Sequence, residues 1–250
     1  MLWHKAWVDT RWRFLLALAL LLVLACGSSL TFPSVRDFLG SIELPVVADE
    51  EAAAAFRESL ELTRSFRGYA WSQWFAQSFP ALLTLMAALL GSGSPLAKSG
   101  SGALFSLALP VSRGRWIGTR SGVALAELFV LALAPSLAYA MLAPVVGEQF
   151  ALTEAIAYGL SAFLGASLFL GLAVFLSTLF NDVWRPLLLT CVGALAIGVL
   201  LPYEHGLFQA MGGGSYFESR TLAWPELLVG AAGALGLVYA AAARLARRDF

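Results

Sequence analysis

Residue types that usually carry enzyme chemistry are few in this sequence and lie far apart. The chain has two histidines, His4 and His205, and two cysteines, Cys26 and Cys191. It contains no HExxH, CxxC or GxSxG pattern, which would mark a metalloprotease, a redox or zinc site, or a nucleophilic serine. We therefore predict no catalytic residue, no metal site and no bound cofactor in this chain.

The stretch SGSPLAKS (92–99) is the nearest approach to a phosphate-binding loop. A Walker A motif needs two glycines at positions that Ser92 and Ala97 occupy here. No predicted β-strand precedes the stretch either. We therefore do not expect the chain to bind ATP by this device.

Glu127 is the clearest ionisable residue inside an apolar stretch. A carboxylate in lipid is costly and is a functional candidate by default. One interpretation places it on a transport path. The other is that it faces the helix bundle and pairs with a donor, on Arg120 or on a neighbouring span.

Composition predicts the structural elements that position these residues. Hydrophobic residues make up 59% of the chain and charged residues 13%, against roughly 25% charged in a typical soluble domain. The apolar blocks approach the roughly 20 residues that cross a bilayer as a helix. The sequence therefore predicts an all-α, polytopic membrane protein, one transmembrane domain over 1–250. Its six spans are placed at about 14–30, 75–90, 122–143, 156–180, 186–201 and 227–243.

The basic residues predict the orientation. Placing both termini in the cytoplasm puts the segments 1–13, 92–120, 181–185 and 244–250 on that side, with 11 of the 16 Lys and Arg residues. This asymmetry satisfies the positive-inside rule. The net charge of zero gives no reason to expect nucleic acid as a partner.

Three segments outside the predicted spans have features of their own. Residues 1–13 carry tryptophans and basic residues and predict a short helix lying in the inner membrane interface, or merely a basic flank of the first span. Residues 32–72 predict an extracytoplasmic loop with a helix over 49–66 that Asp49 can cap. Residues 204–224, with three consecutive glycines, predict a flexible extracytoplasmic loop.

Small residues recur four positions apart within several predicted spans. The pairs are Ser161 and Gly165, Ser167 and Gly171, Ala194 and Gly198, and Gly230 and Ala234. Such spacing permits close packing of helices in lipid.

The segment GALFSLALPVSRGRWIGTRSGVALAEL (102–128) carries the most specific pattern. It resembles the cytoplasmic turn between the second and third spans of ABC transporter permeases of the type-2 exporter class. In that family a Leu-rich helix is followed by LPVSR and a second basic residue, as in Leu109 to Arg113 and Arg115 here. This chain has Lys98, Ser99, Gly100 and Ser101 where relatives usually carry acidic residues.

The resemblance implies a function and a site. In the family a short coupling helix, here about 102–109, docks into a groove of a separate ATPase that holds ATP and Mg²⁺. Two permease chains and two ATPase subunits form the working unit, in the bacterial inner membrane. The residues implied in coupling are Gly102, Leu104, Phe105, Leu107, Pro110, Ser112, Arg113 and Arg115. We expect Pro110 to end the helix, and Arg113 and Arg115 to contact acidic groups of the ATPase or lipid phosphates.

The resemblance also implies a cargo path between two copies of the bundle. Candidates on this chain are Gln77, Thr84, Glu127 and Thr190. An alternative from another class is a membrane scaffold or assembly factor that holds an extracytoplasmic partner with the helix over 49–66.

Overall fold

The computed structural model describes residues 2–41, 59–93, 113–180, 182–200 and 206–246. Within these ranges the chain is helical and has no β-strand. Numbered in chain order, the helices are α1 (Leu2–Ser41), α2 (Phe66–Gly91), α3 (Arg113–Leu142), α4 (Leu152–Ser177), α5 (Trp184–Leu200), α6 (Leu207–Met211), α7 (Gly214–Ser219) and α8 (Trp224–Ala246).

Five of the described helices are long and apolar enough to cross a membrane: α1, α2, α3 with the turn that follows it, α4 and α8. The chain is therefore a multi-pass membrane protein, and the predicted all-helical bundle is confirmed. The predicted fifth span falls on α5, which is apolar but has 17 residues. The count of six spans stays a prediction.

The long helices run alternately up and down, which gives the bundle two ends. The start of α1, the end of α2 and the start of α3 meet at one end, which we call the proximal end. Ile117 of α3 packs there against Val174, Ala241 and Leu245, near the ends of α4 and α8. The opposite end, the distal end, holds the end of α1, the starts of α2, α4 and α8, and the short helices α6 and α7.

Helix α4 lies at the centre of the bundle and packs against α2, α3, α5, α6 and α8. Its small residues let its neighbours approach closely, as the spacing in the sequence indicated. A Cβ added at Gly171 would lie 2.8 Å from the Cα and from the carbonyl oxygen of Ala234 on α8. Gly165 lies against the side chain of Met211 of α6, which a Cβ would overlap. Close packing of this kind is a main source of helix association in lipid.

Aromatic side chains fill the distal half of the core. Phe75 stacks on Tyr158 with ring centroids 4.5 Å apart, and Phe32 packs edge-on against Phe66 at 5.1 Å. Tyr139 lies beside Phe75 and donates a 2.6 Å hydrogen bond to Ser28 Oγ. These contacts join α1, α2, α3 and α4 at one level of the bundle.

The first half of α2, Ala70–Ser78, is a π-helix. Pro80 explains the wider turn, because it lacks an N–H and its ring clashes with the carbonyl four residues before it in an α-helix. The backbone N–H of Phe79 accordingly donates to Trp74 O, five residues back. The π-helix ends where the α-helix Phe79–Gly91 begins.

The start of the chain differs from the predicted interfacial helix over 1–13. Residues 2–13 are the first turns of the single helix α1, which continues without a break to Ser41. The sequence from Trp12 to Phe14 has no glycine or proline that would break a helix. Pro33 lies inside α1, where the buried ring of Phe32 packs against Phe66 and Tyr69.

Two predicted loops are shorter than expected. The segment predicted over 32–72 loses its first ten residues to α1, and α2 begins at Phe66. The predicted helix over 49–66 is interrupted at Ser65, whose Oγ accepts a hydrogen bond from Gly68 N and caps α2. Residues 59–64 before it are helical, and 42–58 lie outside the described residues. The segment predicted over 92–120 is helical from Arg113 onward.

The segment predicted over 204–224 as a flexible loop is also different, because its described part is folded into the bundle. It forms α6 and α7, and Met211 is 1% exposed. Gly212 lies so close to α2 that a Cβ there would be 3.0 Å from Ala76 Cα. The glycines thus permit close approach to α2 and, at Gly213, a left-handed backbone with φ of 66°.

Candidate functional site

A group of polar side chains at the proximal end contains Glu127, the carboxylate that the sequence singled out. Glu127 lies on α3 and is 3% exposed. Thr10 Oγ1 of α1 donates a 2.5 Å hydrogen bond to Glu127 Oε1. Glu127 Oε2 has no hydrogen-bond partner among the described residues. The donor to Glu127 is therefore on a neighbouring helix, which was one of the two donors that the sequence left open.

The Thr10 hydroxyl also lies 3.1 Å from the carbonyl oxygen of Ala6. When Glu127 is ionised, the hydroxyl can donate to the carboxylate. When Glu127 is protonated, the carboxyl can donate to Thr10, and Thr10 can donate to Ala6. The same heavy-atom arrangement therefore accommodates both protonation states of Glu127.

Arg120 lies about two turns before Glu127 on α3 and is close enough to Asp9, Arg13 and Glu127 to interact with them electrostatically. Its guanidinium packs over Trp116, 5.8 Å from the ring centroid. It also lies against Gly93, where a Cβ would collide with it. Gly93 thus makes room for the side chain of α3 immediately after α2 has ended.

The end of α2 is also tied to α1. Carbonyl groups in the last turn of a helix have no partner within the helix, and a cation there is favourable. Arg13 Nη1 donates a 3.4 Å hydrogen bond to Leu89 O, in the last turn of α2. Arg13 of α1 and Arg120 of α3 therefore contact the chain where it leaves α2, before it enters α3 at Arg113.

A second polar cluster lies at the distal end and was not predicted. Glu154, in the first turn of α4, receives Arg67 Nε of α2 on Oε2 at 3.2 Å and Arg220 Nη1 on Oε1. The Glu154 side chain is 7% exposed. Its hydrogen bond raises the pKa of Arg220 above the ordinary value. We call these three residues the Glu154 clasp.

The clasp holds the folded segment that contains α7. Arg67 Nη2 donates a 2.9 Å hydrogen bond to Phe217 O, and the guanidinium lies 4.5 Å from the Phe217 ring centroid. Trp71 stacks on the same ring at 4.3 Å. Arg220 adopts a left-handed backbone with φ of 60°, which is unfavourable for a residue with a Cβ. The clasp thus joins α2, α4 and the residues that follow α7.

Most predicted coupling residues lie outside the described part of the chain. This applies to Gly102, Leu104, Phe105, Leu107, Pro110 and Ser112. Arg113 is the first residue of α3, and Arg115 is exposed on its first turn. Docking of this segment stays a prediction.

The predicted cargo-path residues have different environments. Gln77 is exposed on the π-helix of α2, whereas Thr84 and Thr190 are buried. Thr190 donates to Pro186 O of its own helix at 2.7 Å. Thr84 Oγ1 has no hydrogen-bond partner among the described residues. Glu127 belongs to the proximal cluster. Their role in transport stays a prediction.

Little in the sequence indicated the Glu154 clasp. Arg67 and Arg220 are 87 and 66 residues from Glu154 in the chain, and an acidic residue in the first turn of a helix is common. The only signal is that Glu154 opens a strongly apolar helix. Among the described residues, no group of three His, Cys, Asp or Glu side chains could hold a metal ion.

Comparison of the chain with protein-family models, curated proteins and solved structures finds no match. The function is therefore argued from the residues and their arrangement.

Proposed function

We propose that the chain is the membrane-spanning permease subunit of an ATP-driven ABC transporter, of the type-2 exporter class, and that a separate ATPase supplies the energy. The chain pairs with a second permease chain and two ATPase subunits. Both termini and the connection between α2 and α3 face the cytoplasm. No catalytic step falls to this chain.

The observation that carries the proposal is the way the proximal end holds the two helix ends flanking the LPVSR segment. Arg13 of α1 binds the last turn of α2, and Arg120 of α3 packs on Gly93. A partner that moves residues 102–113 would displace both helix ends together. The Thr10–Glu127 hydrogen bond would extend the displacement to α1. A rigid shift of packed helices of this kind is a common way to switch between two states.

The test begins with the tagged chain extracted from its native membrane in a mild detergent. A soluble protein with a Walker motif should co-purify in equal amount, and the complex should hydrolyse ATP. The double variant Pro110→Ala with Arg113→Gln should lose the ATPase while the chain keeps its thermal stability.

The matched control is Arg185→Gln. Arg185 is an exposed basic residue at the start of α5 that pairs with Asp182 at 3.2 Å, so the variant removes the same charge outside the coupling segment. It should keep the ATPase. A chain that retains a stable extracytoplasmic companion and no ATPase would overturn the proposal in favour of the scaffold.

A further inference from the structure

A cleft between α1 and α3 at the proximal end is lined by charged side chains of both helices. Lys5 and Asp9 of α1 face Thr119 and Arg120 of α3 across it, and Trp116 forms one wall. Among the described residues, two cationic side chains and one carboxylate line the cleft. This excess of cationic side chains favours an anionic group such as a phosphodiester.

Tryptophans place this cleft at the level of lipid headgroups. Trp116 lines it, and the ring of Trp3 lies beside Gly122 of α3, where a Cβ would be 3.1 Å from the Trp3 ring. Trp3 and Trp12 are 60% and 66% exposed. Exposed tryptophans concentrate at the boundary between the hydrocarbon and the headgroups of a membrane.

An apolar stripe continues from the cleft along α1. After Lys5 and Asp9, the positions three or four residues apart are Trp12, Leu16, Leu20 and Val23, which share one face of the helix. All four are exposed, Leu16 to 71% and Val23 to 68%. A molecule with a charged group in the cleft and long apolar chains would cover this stripe.

We propose that the cleft between α1 and α3 binds the phosphodiester of a membrane phospholipid, with the acyl chains lying along the stripe from Trp12 to Val23. Lys5 and Arg120 contact the phosphate oxygens, while the Thr119 hydroxyl donates to Arg115 O of its own helix. The bound lipid braces α1 against α3. The inference does not require the proposed function, although Arg120 takes part in both.

The experiment is native mass spectrometry of the full chain, purified and stripped of lipid in a mild detergent. The probes are dioleoylphosphatidylglycerol, dioleoylphosphatidylethanolamine and dioleoylglycerol, which has the same acyl chains without a phosphate. Both phospholipids should bind with one retained copy per chain, and dioleoylglycerol should bind about tenfold more weakly. Equal retention of dioleoylglycerol would overturn the proposal.

Two variants and a control locate the site. Lys5→Gln should weaken phospholipid binding about fivefold, as expected for one cation near an anionic headgroup. Arg120→Gln should weaken phospholipid binding at least as much. If that variant does not fold, Lys5→Gln still tests the site, because Lys5 is exposed. Arg11→Gln, which removes an exposed cation of α1 packed over Trp12 and not lining the cleft, should bind as the wild type does.

Three further outcomes would each overturn the assignment. Unchanged binding by Lys5→Gln would place the lipid elsewhere. An equal loss of phospholipid binding in Arg11→Gln would mean that the lipid is attracted to the basic surface in general. Displacement of the phospholipid by millimolar inorganic phosphate would show that the cleft recognises free phosphate rather than a lipid.

Discussion

Thr10 and Glu127, which are 117 residues apart in the chain, share a buried hydrogen bond at the proximal end of the bundle. The bond joins the first helix to the third, and one carboxylate oxygen of Glu127 has no second partner among the described residues. A buried carboxylate with one hydrogen bond is only partly compensated for the loss of water.

The first prediction concerns the strength of this bond. Thr10→Ala should lower the stability of the bundle, whereas Thr10→Ser should be close to wild type because it keeps the hydroxyl. A double-mutant cycle of Thr10→Ala and Glu127→Ala should give a coupling free energy of about 0.6 kcal/mol, the average for hydrogen bonds between membrane helices, and at most about 1.7 kcal/mol. Thermal unfolding in detergent is the measurement, and strictly additive effects would contradict the contact.

The second prediction concerns the Glu154 clasp. Glu154→Gln should release Arg67 and Arg220, so that the segment 212–221 opens more often while the rest of the bundle stays folded. Hydrogen–deuterium exchange of that segment should rise about tenfold, with α3 and α8 unchanged. The expected effect is local because both arginines reach solvent when released.

Glu148→Gln is the matched control for the clasp. Glu148 pairs with Arg36 at 3.1 Å, and both side chains are substantially exposed, so the pair should contribute little. Exchange in 212–221 should not change in this variant. An equal rise in both variants would assign the effect to loss of charge at the distal end.

The third prediction tests the left-handed backbone of Arg220 separately from its ion pair with Glu154. Arg220→Gly and Arg220→Ala both remove the ion pair with Glu154, but only glycine adopts a φ of 60° without strain. The glycine variant should therefore unfold at a higher temperature than the alanine variant. Equal unfolding temperatures would indicate that the left-handed conformation is lost once the ion pair is gone.

The fourth prediction concerns the contact between α4 and α8. Gly171→Ala should destabilise the bundle because its Cβ meets the backbone of Ala234 at 2.8 Å, which a side-chain rotation cannot relieve. Gly236→Ala on α8 is the control, since nothing lies within 4 Å of a Cβ there. The control should be neutral or more stable by about 0.5–1 kcal/mol, the usual gain for alanine over glycine in a helix. A stable Gly171→Ala would contradict the close approach.

Long apolar blocks were enough to predict a helical membrane bundle, because lipid leaves a spanning backbone almost no alternative. Helix limits were predicted less well, since contacts rather than hydropathy decide them. The core contact of Phe32 lies beyond the predicted end of the first span, and Gly212 packs on α2 from a segment whose glycines indicated flexibility.

The two polar clusters were also only partly predictable from the sequence. Glu127 was visible in the sequence because its neighbours are apolar, but its partner Thr10 was not, since the rotation of α1 about its axis follows only from packing. The Glu154 clasp requires three segments that are distant in the chain to meet. Charges near helix ends are too common for their pairing to be predicted from one sequence.

The uninterrupted length of α1 has a mechanical consequence. A helix of 40 residues measures about 60 Å at 1.5 Å per residue, about twice the thickness of the hydrocarbon layer. Even at a tilt of about 40° it would exceed that layer by roughly half. Thr10 near one end and Phe32 towards the other belong to this one rod. A rotation of α1 about its axis would break both contacts at once, so a change at one face of the membrane would be accompanied by a change at the other.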